Sequence, residues 1–388
     1  MQIDIRKEID EIADEILAVR REIHMYPEIG NNEFRTASII ETYLNEAGIP
    51  SARILETGVV GTIKATRPGK TVALRADIDA LPVSEKTGAD YMSRVPGLMH
   101  ACGHDVHTAA LLGAAKILSG HRDELAGDVV LIFQPDEEGD GGAMRMIGKG
   151  VLNDVDAMFG THVSPDLPEG TAGFKYGSFY AAADTFDVET TGKGAHGAER
   201  GKGADALAAA AKMITELIEI PRNHESGKSV LTVGTFRSGT ARNILSDKAE
   251  FSGIVRTHGQ EIREKARAAF YDAVEKADRE YGTRSTVVYS SGYPGVANDE
   301  SMTTMAEKAA IELLGRDSVL RIEEPTMMTE DFGCYLREVP GCYYHIGAGC
   351  DMPLHSSEFL PTDKAVLTAA SVHVAVVLEF LSLERLQF

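Results

Sequence analysis

The chain has 388 residues, 43% hydrophobic and 25% charged, with 59 acidic against 39 basic residues and a formal net charge of −20. At roughly 100–200 residues per domain this length corresponds to about two domains, in a composition ordinary for a globular protein. The acid excess argues against partners that need a basic face, so neither nucleic acid nor an anionic membrane is expected.

The N-terminal MQIDIRKEIDEIADEIL carries charges every two or three residues and lacks the apolar centre of a signal peptide. No stretch reads as the roughly 18 uncharged apolar residues of a membrane span, so a cytoplasmic protein is expected. Ile9, Ile12, Ile16, Val19 and Ile23 form one apolar stripe at helical spacing. A second helix is predicted from about residue 34 to 47, ending at Gly48. Apolar runs at 71–74, 129–133, 155–159 and 342–346 predict strands, and 107–118 a helix. Strands alternating with helices predict an α/β fold, a doubly wound and mostly parallel sheet.

Residues 184–291 have another rhythm. TFDVETTG, SVLTVGTFRSG, KAEFSGIVRT and STVVYSSG read as strands, with helices at about 204–219 and 261–281. The order βαββαβ is the split-βαβ pattern of a ferredoxin-like α+β domain. The expected organisation is therefore a first domain part at 1–183, an inserted domain at 184–291, and a second part at 292–388.

Chemistry-bearing residues follow the predicted strands of the larger domain. Asp77 and Asp79 come after TVAL, Glu137 and Glu138 after VVLIF, His162 after VDAMF, and His355 after CYYHI. That edge is where open α/β sheets build sites. The stretch HACGHDVH, 100–107, precedes a helix and adds Cys102 and His104. Taken singly, each residue reads as a turn or capping residue, Asp105 included. Together, thiol, imidazole and carboxylate suit Zn²⁺ or another borderline divalent ion. Of two adjacent glutamates, one can bind metal while the other acts as general base on water. Cys334, Cys342 and Cys350 suit neither a metal knuckle nor CxxC chemistry, and no second cysteine lies within thirty residues of Cys102, which counts against a thiol oxidoreductase. A non-catalytic metal-binding protein would not need both glutamates.

RREIHMYPEIGNNEFRT, ALRADIDALPV, MHACGHDVHTAALLGAA, FQPDEEGDGGAMRMI, TGKGAHGA, GTARNILSD, MMTEDFGCYL and HSSEF follow in order. Over about residues 15–380 they resemble the metal-dependent amidohydrolases that include hippurate hydrolase, N-acyl-amino-acid deacylases and indole-acetyl-amino-acid hydrolases. The resemblance implies a catalytic domain with two divalent metal ions (Zn, Mn, Co or Ni) and an inserted lid domain that also makes a homodimer. It implies Cys102, His104, Glu138, His162 and His355 as metal ligands, Glu137 as general base and Asp79 as a carboxylate orienting a ligand. His196 would polarise the substrate carbonyl, and Asn243 with Arg242 would contact the substrate carboxylate. The sequence departs from the family pattern at His196-Gly-Ala-Glu-Arg200, at Asn243-Ile-Leu-Ser246, in the absence of Trp, and around LHSSEF. These departures touch no implied ligand, so they bear on substrate choice. The expected activity is hydrolysis of an N-acyl amino acid. A dipeptidase or carboxypeptidase, or an N-acetyl-diaminopimelate deacetylase, would share the same motifs.

Overall fold

The computed structural model describes residues 3–223 and 228–382. The main elements begin with helices α1 (Ile5–Met25) and α2 (Phe34–Glu46), then strands β1 (Ser51–Ile54), β2 (Gly58–Ile63) and β3 (Val72–Asp77). Helix α3 (His104–Gly120) and strands β4 (Val129–Gln134), β5 (Ala157–Ser164) and β6 (Ala172–Phe174) follow. The middle of the chain forms β7 (Ala182–Thr191), α4 (Ala206–Asn223), β8 (Ser229–Ser238), β9 (Lys248–Thr257), α5 (Gln260–Tyr281) and β10 (Arg284–Ser291). It returns as α6 (Glu300–Leu314), β11 (Val319–Arg321), β12 (Gly341–Gly347) and α7 (Asp363–Ser382).

These elements form two compact units. The first runs to Gly177 and takes up Ala297–Glu324 and the chain from Cys334 onward. Its eight-stranded sheet has the order β1-β2-β4-β3-β5-β12-β6-β11. The four central strands, β4, β3, β5 and β12, are mutually parallel, with antiparallel pairing at β1-β2, β2-β4 and β12-β6. Every residue of β3, β5 and β12 is buried, as strands covered on both faces require. Apolar positions of α1, α3 and α7 pack into the same core. On α1 the buried residues include Ile9, Ile16 and Ile23, the stripe read from sequence.

Two sequence expectations are corrected here. Strand β5 extends through Ser164, so His162 lies inside a strand and not beyond one. The apolar run ends at Phe159, but pairing with β12 from Met158 to Ser164 carries the strand on. Second, α7 is long and apolar enough to cross a membrane by length and composition. Asp363, Lys364 and Glu379 within the helix limit its uncharged run, and 78% of its apolar window is buried within the protein. A helix apolar all round is what a fully buried core position demands.

The second unit comprises Ser178–Val296 and also Pro325–Gly333, a return segment outside the 184–291 boundaries. Its sheet has the order β8-β9-β7-β10, antiparallel throughout. With α4 and α5 the chain order is βαββαβ. Buried and exposed residues alternate along β7, and the inward set, including Phe186 and Val188, meets Met213, Leu217, Phe251 and Phe270.

Candidate metal centre

The site grows from four breaks in the first unit's core. Strand β3 ends on Asp77, and Asp79 follows two residues later. Past β4, Asp136 adopts φ +58 and the chain turns sharply at Glu137 and Glu138. Gly103, at φ +84, turns the chain into α3. A Cβ there would meet Val163 Cγ2 at 2.5 Å, so only glycine lets this corner close on β5. After β12, His355 adopts φ +65, and its N–H donates to Ala101 O at 2.8 Å, tying that loop to the start of α3.

These breaks bring the expected ligands together. Donor atoms of Cys102, His104 and His162 lie within 4.8 Å of one another, as do those of Cys102, Glu138 and His355, and of His104, Glu137 and Glu138. The tautomers follow from the partners. His162 Nδ1 faces Val163 O at 2.7 Å, and a carbonyl only accepts, so Nδ1 carries the proton. Its Nε2 lone pair then faces Cys102 Sγ at 3.3 Å. His104 Nδ1 donates to Asp79 Oδ1 at 3.1 Å, while the other Asp79 oxygen accepts the Glu138 N–H at 3.0 Å. One carboxylate thus orients two candidate ligands, the arrangement that metal-binding imidazoles require.

His107 is excluded as a ligand. Its Nδ1 donates to Asp77 Oδ1 at 2.6 Å, and its Nε2 accepts the Val163 N–H at 3.0 Å, so both nitrogens are engaged. Asp105 is not the cap of α3. The N-cap is Gly103, without a side-chain cap. Asp105 lies in the first turn and accepts from Arg20 Nε at 3.1 Å and from His24 Nδ1 at 2.9 Å, all three fully buried. Arg20 also donates to Pro361 O and Asp363. A capping residue reads the same in sequence as this ion pair, whose partner lies 85 positions away.

The electrostatics describe a site prepared for a cation. Burial opposes ionisation of Asp77, but His104, Arg75 and His107 outweigh it and hold the carboxyl well below its usual range. Burial also opposes a charge on His104, yet Asp77 and Asp79 pull the imidazole up to about 10. Burial, with His107 beside it, keeps His162 neutral. Burial pushes the Cys102 thiol well above its usual value, and Glu138 and Glu137 push further. The buried His104 Nε2 has no hydrogen-bond partner among the described residues. Glu138 Oε1 lies 3.1 Å from His355 Nε2 but without hydrogen-bond geometry. An orphaned imidazole nitrogen, a buried thiol and clustered carboxylates fit a divalent cation and leave a poor site without one.

The remaining candidates lie in the second unit and gather there. His196 pairs with Ile244 across a short antiparallel ladder, and Gly197 N–H donates to Asn243 O at 2.8 Å. His196, Arg242 and Asn243 are all exposed. Sequence reading missed the roles of His107, Arg20 and His24. The only signal was the i, i+3 spacing of His104 and His107, which places both on one face of α3.

Imidazoles, carboxylates and a thiol converging at the C-terminal edge of a parallel sheet define a metal-dependent hydrolase. The chain matches the profile of Peptidase family M20/M25/M40 over residues 73–379 and belongs to that family. N-acetyl-L-cysteine deacetylase of Bacillus subtilis (strain 168) is 39% identical over 363 residues, 92% of this chain and 86% of that protein. Thermostable carboxypeptidase 1 of Saccharolobus solfataricus is 35% identical over 388 residues, covering 97% of this chain and 98% of that one. Bacillus subtilis YXEP protein, described as a dinuclear metal binding peptidase from the M20 family, superimposes with a TM-score of 0.86 at 33% identity, covering 96% of this chain and 99% of its own.

Proposed function

We propose that this enzyme hydrolyses the amide bond of an N-acyl amino acid, releasing a carboxylic acid and a free amino acid. The convergence of Cys102, His104, Glu138, His162 and His355 beside Glu137 carries the reading. These five side chains would hold two divalent ions. When bound, the ions supply Lewis-acid polarisation of the substrate carbonyl and lower the pKa of a water.

The chain's own groups do the rest. Glu137 accepts the proton of the attacking water and returns it to the amine nitrogen as the C–N bond breaks. Asp79 fixes the His104 ring through Nδ1, leaving Nε2 for the cation. His196 donates to the developing oxyanion, and Arg242 with Asn243 engages the substrate carboxylate, for which a guanidinium offers a bidentate match. The carboxypeptidase and deacetylase names among the relatives share this chemistry.

The test is release of free amine from a panel of N-acetyl and N-benzoyl amino acids and dipeptides, before chelation, after it, and with each metal restored. Metal-dependent release fastest on N-acyl amino acids is expected. A faster rate on dipeptides overturns the substrate class. Glu137→Gln should keep its metal while losing about 10²–10⁴ in kcat. Near-normal turnover would remove Glu137 as the base.

A further inference from the structure

The turn that carries Glu137 and Glu138 is gripped by a segment that supplies no metal ligand. Asp136, immediately before the pair, sits at φ +58, a conformation that a non-glycine residue keeps only where its surroundings impose it. Its N–H donates to Glu33 Oε1 at 2.9 Å. Its carboxylate accepts from Arg145 Nη2 at 2.7 Å, and Arg145 Nη1 donates to Asn31 Oδ1 at 2.7 Å. A Cβ on Gly30 would fall 2.0 Å from Asp136 Oδ1. Residues 30–33 therefore hold Asp136 at its backbone and at its side chain.

Glu33 is unusually placed for this. It occupies the N-cap of α2 but makes no capping hydrogen bond. Capping is done by Glu28, whose carboxylate accepts the N–H groups of Arg35 at 3.0 Å and Thr36 at 2.8 Å. Freed from that task, Glu33 is completely buried, and its second oxygen has no hydrogen-bond partner among the described residues. Burial pushes its carboxyl up to about 7. A carboxyl is costly to bury without a cation beside it, so its position calls for a compensating role.

We propose that Glu33 is the positioning residue of the general-base turn, holding the Asp136 N–H so that Glu137 leaves β4 in a fixed direction, while Glu138 is held separately by Asp79. The proposal rests on the assignment of Glu137 as the base.

The metal-loaded full-length enzyme provides the test. Glu33→Ala should lower kcat about 10- to 100-fold, as misplacement of a catalytic group does, with KM and metal content unchanged. Glu33→Gln keeps an acceptor oxygen for Asp136 and should restore most of that loss. Amide exchange of residues 136–139 in the metal-free protein should be faster in Glu33→Ala and near wild type in Glu33→Gln. In a Glu137→Gln background, Glu33→Ala should lower the residual rate no further, because both act through one group. Wild-type kcat in Glu33→Ala, equal losses in both variants, a loss accounted for by missing metal, or additivity with Glu137→Gln would each overturn the proposal. Failure of the base assignment itself would show separately, as activity retained by Glu137→Gln alone. If Glu33→Ala does not fold, Arg145→Met loosens the same turn from its outer side. It should give a smaller kcat-only loss, and no loss would overturn the proposal.

Discussion

Cation binding to Cys102 and His104 should expel two protons, and the pH dependence of binding measures how far buried charge has moved their pKa values. In the metal-free protein His104 is doubly protonated at neutral pH, because Asp77 and Asp79 outweigh burial and raise it to about 10. Asp79 retains the Nδ1 proton, so the Nε2 proton is the one a cation displaces. The Cys102 thiol is held protonated by burial and by Glu138 and Glu137. His162 is already neutral and Glu138 already ionised, the latter because His355 and His104 outweigh burial, so neither contributes a proton. Removing the His104 proton at pH 7.5 costs about 3 kcal/mol, at about 1.4 kcal/mol per tenfold. Apparent affinity should therefore rise about tenfold per pH unit for each proton, about a hundredfold per unit for both, between pH 6 and 8. Calorimetric titration in buffers of different ionisation enthalpy counts the protons directly. Release of fewer than one proton per cation at this pair, or affinity independent of pH over that range, would refute the reasoning.

Other outcomes follow from the ties around the centre. Asp79→Asn should weaken metal binding about 10- to 100-fold, read by competition with a chromogenic chelator; unchanged affinity would remove its orienting role. Arg20→Met leaves Asp105 buried with His24 alone and should cost about 3–5 kcal/mol in urea unfolding, near the lower end at pH 7. His24 lies 2.9 Å from Asp105 and is raised to about 9, burial being outweighed by Asp105 and Glu85. A raised imidazole stabilises fully below its unfolded value of about 6.5 and loses that contribution as pH passes about 9. The cost of Arg20→Met should therefore be larger at pH 10 than at pH 7, and a pH-independent cost would contradict the geometry.

Much of the first unit was legible because its buried strands are unbroken apolar runs and its ligands are chemically distinctive. Cys102, His104 and Glu138 lie at or beside element ends, where sequence punctuation is strongest, and His355 lies in the loop after β12. His162 was misplaced relative to its strand because the strand persists through pairing with β12, a contact between segments far apart in sequence. Asp105 was misread for a similar reason: its position beside a helix start is also that of a cap, and only the distant Arg20 decides between them. Helix α7 escaped because full burial removes the amphipathic pattern by which helices are recognised. The grip of Glu33 on Asp136 had no local signature, since a glutamate before a helix looks like part of that helix.

The pairing of β12 with β5 has a consequence for synthesis. Cys102, His104, Glu138 and His162 all precede the second unit in the chain, whereas β12 and His355 follow it. While residues 178–296 are being made, β5 lacks its partner on one side and exposes an unsatisfied strand edge bearing His162. Four donors are then present on the nascent chain before the fifth exists. The C-terminal segment thus completes both features at once, covering the open edge of β5 and supplying the fifth donor.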